Sequence, residues 1–191
     1  MAASGGHVEA VRILLACKAD PLLQNWYGNA LHCAAEAGQC ASIRELVSHG
    51  MDPNCLSRAG FRPLSCTLDN EQVDAFETLL SCQADISLRP KYLSYSILHH
   101  AVVYGCQGIV DVILRRQLVD LESRTVGGQT ALHLAACQHR PAILVRLLDA
   151  GAEVNTLDNS GNSPLGWAHR QRDMAAVSIL LQRGADEKLA S

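Results

Sequence analysis

The sequence has few aromatic residues and no long apolar run. Aromatic side chains make up 4% of its 191 residues and charged side chains 18%, against 48% hydrophobic residues. No apolar run approaches the roughly 18 residues that a membrane-spanning helix needs, which argues against membrane insertion. The stretch from Met1 to His7 lacks the basic flank and apolar block of a secretory signal peptide. An intracellular location, in the cytoplasm or the nucleus, is therefore expected.

An excess of positive charge is also missing. The formal net charge is −3, whereas a general nucleic-acid binder needs a broad basic face. Nucleic acid is therefore not an expected partner. The eight cysteines include no Cys-x-x-Cys pair, the spacing found in many zinc sites. Because free cysteine commonly behaves as a small buried hydrophobe, we expect reduced structural thiols rather than a metal or redox site.

Catalytic signatures are absent as well. The sequence contains neither a Gly-x-Ser-x-Gly nucleophile turn nor a phosphate-binding Gly-x-x-x-x-Gly-Lys loop. Its histidines are not spaced like the ligands of a metal site on one helix face. We therefore expect no enzyme activity and no cofactor.

The sequence does have an internal period of about 33 residues. Five in-phase leucines mark it, separated by 33, 34, 34 and 33 residues: Leu31, Leu64, Leu98, Leu132 and Leu165. Each leucine lies in a tetrapeptide of similar pattern: Asn29 to His32, Arg62 to Ser65, Ser96 to His99, Thr130 to His133 and Ser163 to Gly166. A period of this length is typical of a stacked repeat array.

The most regular unit runs from Gly127 to Asn155. A Gly-Gly turn opens a short helix in which Ala135 and Ala136 permit close packing. A second helix starts with Pro141 in its first turn, and Gly151 supplies a left-handed end. In every unit the second helix carries apolar residues at i and i+3, which present one face to a neighbouring layer. The unit is thus a helix-turn-helix closed by a loop.

This repeat resembles the ankyrin-repeat family over essentially the whole chain. The resemblance implies an all-α repeat solenoid of stacked helix-turn-helix units with short β-hairpin-like fingers. We predict one domain over residues 1–191, with a partial repeat at 1–24 and five repeats at about 25–56, 57–88, 89–122, 123–157 and 158–191. The resemblance also implies that three in-phase histidines, His32, His99 and His133, join hydrogen-bond networks with the neighbouring turn.

Two parts of the array depart from the pattern. In repeat two, Thr67 and Leu68 replace the Ala pair, and we expect looser helix packing there. The chain starts inside a repeat, and its last repeat keeps an apolar stripe at Val177 and Leu180 where a terminal repeat is normally polar. These ends favour a longer natural array or a docked edge, with a natural short start as the alternative.

The candidate binding surface lies where the scarce aromatic residues coincide with local positive charge. Segments 53–68 and 86–110 contain no acidic residue, and most aromatic residues fall in the fingers. Aromatic side chains anchor interfaces, and arginine pairs with carboxylate or phosphate. The predicted partner-binding residues are Trp26, Tyr27, Arg58, Phe61, Arg62, Arg89, Lys91, Tyr92, Tyr95, Tyr104 and Arg124. The alternatives are a solvated charged rim, and aromatic residues that only cover neighbouring fingers.

The resemblance implies a non-catalytic protein-protein interaction module: an adaptor, scaffold or targeting domain. Its expected partner is a protein or extended peptide, with acidic or phosphorylated segments favoured, bound through the fingers and the concave helix face. The alternative is a regulatory or inhibitory domain that acts on an enzyme or channel domain of a longer chain. Ankyrin-like repeats with a leucine eight residues before an asparagine also resemble targets of asparagine hydroxylation, and Leu147 with Asn155 fits that pattern.

Overall fold

The computed structural model describes residues 2–88 and 95–189. Its contacts divide the chain into two compact units, Met1–Leu93 and Ser94–Ser191, called here the N-terminal and C-terminal units. Eleven α-helices, one 3₁₀ helix and no β-strand lie in the described residues. The predicted all-α repeat fold is confirmed, whereas the single domain over residues 1–191 stays a prediction. The predicted site residues Arg89, Lys91 and Tyr92 lie outside the described residues.

The N-terminal unit contains five helices arranged in two layers. They are α1 (Val8–Ala16), α2 (Ala30–Glu36), α3 (Cys40–Ser48), α4 (Pro63–Cys66) and α5 (Val73–Ser81). The first helices α2 and α4 pack on each other, and the second helices α1, α3 and α5 pack in series. This arrangement is the stack of helix pairs that the period predicts.

The C-terminal unit repeats the same arrangement with six helices. They are α6 (Ile97–Tyr104), α7 (Gln107–Arg115), α8 (Ala131–Cys137), α9 (Pro141–Asp149), α10 (Pro164–Arg170) and α11 (Met174–Gln182), followed by a 3₁₀ helix at Glu187–Leu189. Helix α8 packs between α6 and α10, and α9 packs between α7 and α11. The α8/α9 pair is therefore covered on both sides by neighbouring pairs of the same unit.

The first helices begin where the sequence supplies an N-terminal cap. Asn29 accepts a hydrogen bond from the backbone N–H of Leu31 at 3.0 Å, and Ser163 accepts one from Gly166 at 3.1 Å. Such caps satisfy backbone donors that have no partner within the helix. Arg62 stands at this position in repeat two and makes no side-chain cap. Helix α4 is correspondingly only four residues long.

The apolar stripe of the second helices forms the core. Its members in α3, α5, α7 and α9 are almost fully buried: Ile43, Leu46, Phe76, Leu79, Val110, Ile113, Leu144 and Leu147. Leu14, the corresponding residue of α1, is 50% exposed, as expected for a repeat covered on one side only. The i, i+3 pattern in the sequence thus located the core correctly.

The in-phase histidines connect successive repeats. In repeat four, the backbone N–H of Thr130 donates to His133 Nδ1 at 3.1 Å, and His133 Nε2 lies 3.1 Å from the Asn162 carbonyl oxygen of the next repeat. Nε2 therefore carries the proton, and burial lowers the pKa of His133, which favours the neutral ring. His32 contacts the Phe61 carbonyl oxygen in the same way, also at 3.1 Å. For His32 and His133 the predicted network is present.

Ion pairs link the second helices of successive repeats on their outer side. Arg12 contacts Glu45 through two hydrogen bonds of 3.1 and 3.0 Å. In the C-terminal unit, Arg146 Nε lies 2.5 Å from Asp111 Oδ1, and Arg183 Nη2 lies 2.7 Å from Asp149 Oδ1. These pairs join residues 33 to 35 positions apart, so each one bridges two adjacent repeats.

The eight cysteines all lie in the described residues and are free thiols. Burial raises the pKa of Cys66 to about 12, so this thiol stays protonated at neutral pH. In residues 2–88 and 95–189, no three His, Cys, Asp or Glu side chains are grouped so that they could hold a metal ion. No helix in the same ranges is long and apolar enough to cross a membrane.

Candidate protein-binding surfaces

Three of the described fingers are closed by the same tight turn, whereas in the finger of repeat one the Asn25 N–H donates to the Gly28 carbonyl oxygen at 3.1 Å. The backbone N–H of Ser57 donates to the Phe61 carbonyl oxygen at 2.8 Å, and the Phe61 N–H donates back to Ser57 Oγ at 3.1 Å. The pairs Thr125 with Gln129 and Asp158 with Asn162 repeat both bonds. These fingers are hairpin turns that do not continue into paired strands in the part of the chain described. Their closure fixes the side chains at the turn.

The finger residues of the N-terminal unit leave an aromatic surface uncovered. Trp26 is 71% exposed and Tyr27 72% exposed, and Arg58 is also exposed. The Tyr27 N–H donates to Asn25 Oδ1 at 2.8 Å, which fixes the backbone that carries both rings. Phe61 is 39% exposed and so is more than half covered. The alternative that aromatic residues only cover neighbouring fingers therefore agrees with the partial burial of Phe61. It does not explain the exposure of Trp26 and Tyr27.

Two arginines of the predicted surface brace turns. Arg62 is half-buried, and its Nη1 donates to the Asn54 carbonyl oxygen. Arg124 Nη1 donates to the carbonyl oxygens of Gly128, at 3.1 Å, and Leu157, at 2.7 Å. The sequence analysis predicted both as partner-binding residues, with a solvated rim as the alternative, and missed this structural role. Arg58 differs from these two arginines, because in the described part of the chain it contacts neither a carboxylate nor a backbone carbonyl oxygen.

The two predicted tyrosines of repeat three have different surroundings. The ring of Tyr95 is half-buried and lies 5.9 Å from the His99 ring and 5.4 Å from the His100 ring, measured between centroids. Tyr104 ends α6 and is 51% exposed. Tyr95 thus packs on the start of α6, whereas Tyr104 presents its ring to solvent.

A groove in the N-terminal unit brings the exposed aromatic surface next to the first helices. It encloses about 330 Å³ and is lined by Ser4, Asn25, Tyr27, Cys33, Glu36, Ala37 and Asn70. Asn70 Nδ2 donates to the Glu36 carbonyl oxygen at 3.2 Å, which joins two repeats along the groove floor. Because Glu36 and the nearby Asp69 are both exposed, the helix side of the groove is acidic. The sequence analysis had identified only Tyr27 among these residues.

Asn155 holds two repeats together. Its Nδ2 donates to the Gly184 carbonyl oxygen at 3.3 Å, and its Oδ1 accepts the Asp186 N–H at 2.8 Å. Asn54, which occupies in repeat one the position that Asn155 has in repeat four, makes the same pair of bonds to Gln83 and Asp85. The side chain named as a modification candidate therefore has a structural role, although the residue is exposed.

Comparison with known proteins gives consistent matches at family level. A family model described as "Ankyrin repeats (3 copies)" matches residues 1–90 and again residues 98–190. Neurogenic locus notch homolog protein 1 of Xenopus tropicalis is 31% identical over 148 residues, which is 77% of this chain and 6% of the relative. Neurogenic locus notch homolog protein 2 of Homo sapiens is 30% identical over 156 residues, 81% of this chain and 6% of the relative. The chain thus spans about 6% of the length of these curated relatives.

Two solved structures are similar over almost the whole chain. The human ASB11 ankyrin repeat domain has a TM-score of 0.84 at 25% identity, with 97% of this chain and 82% of that chain covered. The ankyrin repeat domain of Bcl-3, described as a unique member of the IkappaB protein family, has a TM-score of 0.82 at 25% identity, with 97% and 85% covered.

Proposed function

The chain belongs to the ankyrin-repeat family, and we propose that it is a non-catalytic adaptor, scaffold or targeting module whose N-terminal unit binds an extended segment of a partner protein. Ankyrin repeats are in general protein-protein interaction modules, and repeat stacks present extended binding surfaces. The fold itself is a non-catalytic interaction fold.

The observation that carries the proposal is the exposed pair Trp26 and Tyr27 beside the groove. These two rings are the most exposed aromatic side chains described, and Tyr27 also lines the groove. Large, stiff, amphipathic side chains dominate interface energies when a partner covers them. Their exposure supports this part of the unit as the anchor of a contact.

The charges around the groove suggest which partner would fit. Arg58 is exposed on the finger of the next repeat, outside the residues that line the groove, and can pair with a carboxylate or phosphate of a partner that extends along the stack. Glu36 and Asp69 are exposed on the opposite, helix side and would attract a basic residue. We infer an extended segment of mixed charge whose acidic or phosphorylated residue faces the fingers.

The proposal is tested by capture from cell extract followed by affinity measurements. We expect proteins bound by the wild type to be lost with Trp26→Ala and Tyr27→Ala. They should be retained with Val126→Ala, which removes an equally exposed apolar finger residue from the C-terminal unit. Capture that is the same for all four proteins would contradict the groove as the site.

For a captured partner, the two kinds of residue should act on different rate constants. Tyr27→Ala should weaken affinity about tenfold through faster dissociation, as loss of an aromatic anchor does. Arg58→Ala should instead slow association and reduce the dependence on salt, because exposed charges act mainly on encounter and are screened. If the Arg58 variant showed an unchanged salt dependence, the partner segment would not contain the acidic residue proposed to face the fingers.

The second candidate is a regulatory domain that acts on an enzyme or channel domain of a longer chain. The observation that favours it is that the chain matches only about 6% of the length of its curated relatives. The sequence of the complete natural transcript distinguishes the two, because a regulatory domain requires a catalytic or membrane domain in the same chain.

We also propose Asn155 as a site of hydroxylation, from its spacing to Leu147 and its exposure. Mass spectrometry of the protein isolated from cells should find one added oxygen atom on the peptide that contains Asn155, and none after Asn155→Ala. A fully unmodified peptide from cells that hydroxylate other repeat proteins would refute the proposal.

A further inference from the structure

In the C-terminal unit, the turns between paired helices lie side by side. Arg140 Nη2 donates to the Val103 carbonyl oxygen at 3.2 Å. Gly105 has a left-handed φ of 79°, and a Cβ atom placed on it would lie 2.7 Å from Arg140 Cζ, so glycine suits this contact. Gln171 Nε2 lies 3.8 Å from Cys137 Sγ, which joins the next turn. Residues 103–106, 137–140 and 169–173 therefore form one continuous surface, called here the turn edge.

The turn edge concentrates positive charge in a chain of net negative charge. Arg170 and Arg172 are exposed, as are His139 and His169. Segments 123–148 and 159–172 contain no acidic residue. Within the part of the chain described, neither Arg170 nor Arg172 forms an ion pair. The charge of both arginines is thus available to a ligand.

The one carboxylate on the described part of this edge is already engaged. Asp173 is 9% exposed and accepts the Ala176 N–H at 3.1 Å, which caps α11. Its other oxygen lies 3.2 Å from His139 Nδ1. Asp173 therefore contacts the start of α11 and His139 rather than the two arginines.

The structure also holds Arg170 in place. Its guanidinium carbon lies over the Trp167 ring, 5.7 Å from the ring centroid. The indole is fixed in turn, because Trp167 Nε1 donates to Asp158 Oδ2 at 2.9 Å and Asp158 also accepts from Asn162 Nδ2 at 3.1 Å. A guanidinium over an aromatic face is attracted to the ring. This contact favours one placement of the Arg170 head group before any ligand binds.

The backbone at the apex of two turns is unusual for the residues it carries. His139 and Arg172 have left-handed φ angles of 53° and 56°, where repeats one and three have Gly38 and Gly105. Repeat two has Glu71 there, with the opposite charge. A side chain at such a position has a conformational cost, so a useful role for the side chain is the simplest reason to keep it.

We propose that the turn edge is a second docking site, which binds an acidic segment of a partner protein through Arg170 and Arg172. Two exposed arginine forks, two residues apart on one turn, match carboxylates spaced along an extended acidic peptide. Tyr104 lies at one end of the edge and offers an aromatic contact to an apolar flank. Three turns are too narrow for the broad basic face that a polynucleotide binder presents, which favours a protein ligand. The site is independent of the groove in the N-terminal unit.

The test uses the whole chain and a defined probe, a ten-residue oligoglutamate peptide with a fluorescent label. The uncharged oligoglutamine peptide and a single-stranded oligonucleotide of equal charge serve as comparisons. The chain has two tryptophans, so a Trp26→Phe variant leaves Trp167 as a local reporter under Arg170. We expect oligoglutamate to bind at low salt and to change Trp167 fluorescence, and oligoglutamine to do neither.

Arg170→Gln combined with Arg172→Gln should weaken oligoglutamate binding about tenfold and reduce its salt dependence, since two charge-assisted contacts are lost. Lys18→Gln, which removes an exposed positive charge from the N-terminal unit, should leave that binding unchanged and so shows that the loss is specific to the turn edge. Melting curves of all variants should match the wild type. Equal binding by the double variant, stronger binding of the oligonucleotide, or no binding of oligoglutamate at low salt would each overturn the proposal.

Discussion

Repeat two and repeat four occupy equivalent places in the period, but their first helices begin with different capping residues. In repeat four, Thr130 and His133 cap α8, and His133 also reaches the next repeat; α8 has seven residues. In repeat two, Arg62 and Ser65 stand at these two positions, and α4 has four residues. The comparison separates two contributions to the stability of a repeat that are usually present together: burial of its apolar side chains and capping of its first helix.

Burial is nearly the same in both repeats. Leu64 and Leu68 of repeat two are buried, as are Leu132 and Ala136 of repeat four. Thr67 is fully buried where repeat four has Ala135, and its Oγ1 donates to the Leu64 carbonyl oxygen at 2.7 Å, which satisfies the hydroxyl. Burial thus holds the repeat in the stack, while capping determines how many helical turns form and how firmly the next repeat is attached.

The largest expected effect is on the core that both repeats share. Leu79→Ala and Leu147→Ala each remove a fully buried side chain and should lower the free energy of unfolding by about 2–5 kcal/mol. Urea unfolding followed by circular dichroism measures the loss, and Leu23→Ala, at a position that is 74% exposed, is the control with a small effect. A loss below about 1 kcal/mol for either core variant would show that its stripe is not the core.

Grafting the capping pair should partly remove the difference between the repeats. Arg62→Thr combined with Ser65→His gives repeat two the residues of Thr130 and His133 and should raise the free energy of unfolding by about 0.5–2 kcal/mol. Part of that gain is offset by loss of the Arg62 contact to Asn54. Ser65→Ala alone should not stabilise. A double variant less stable than the wild type would mean that the Arg62 hydrogen bond to Asn54 contributes more to stability than the introduced capping pair.

Native-state hydrogen exchange should show the difference directly. We expect faster exchange in residues 64–80 than in residues 132–148, because the short α4 attaches repeat two less firmly and contacts in a stack are local. The difference should shrink in the grafted variant. Equal or greater protection of repeat two in the wild type would contradict the comparison.

The smallest expected effect is a pH dependence confined to the histidine-capped repeats. Burial lowers the folded-state pKa of His133 and His32 below the ordinary value of 6.5. The unfolded chain therefore binds protons that the folded chain does not, so stability is complete above about pH 6.5 and falls as the pH drops below it. Exchange measured at pH 7.5 and 5.5, corrected for intrinsic rates, should show loss of protection in repeats one and four, and also in repeat three, where burial lowers the pKa of His100. A loss in repeat two as large as in repeat four would refute this assignment.

Much of the fold could be predicted from the sequence, because periodicity reports burial. The five leucines and the i, i+3 stripe located the helices, and Thr67 with Leu68 marked repeat two as irregular. Arg62 and Arg124 were harder, since their acceptors are backbone carbonyl oxygens whose directions depend on turn geometry. The groove combines Ser4, Tyr27, Glu36 and Asn70 from three repeats, and no stretch of sequence lists such residues together. The candidate site was therefore only partly predictable.

The ion pairs on the outer side of the second helices restrict how such a chain can evolve by gain or loss of whole repeats. Arg146 of repeat four faces back to Asp111, and Asp149 of the same repeat faces forward to Arg183. Arg115 occupies in repeat three the position of Asp149, and Ile179 occupies in repeat five that of Arg146. Deleting repeat four would therefore place Arg183 opposite Arg115 and Asp111 opposite an isoleucine. The repeats are similar in length and core, but their ion pairs fit only one order of repeats. An unequal crossover would therefore be disfavoured even where the helices still packed.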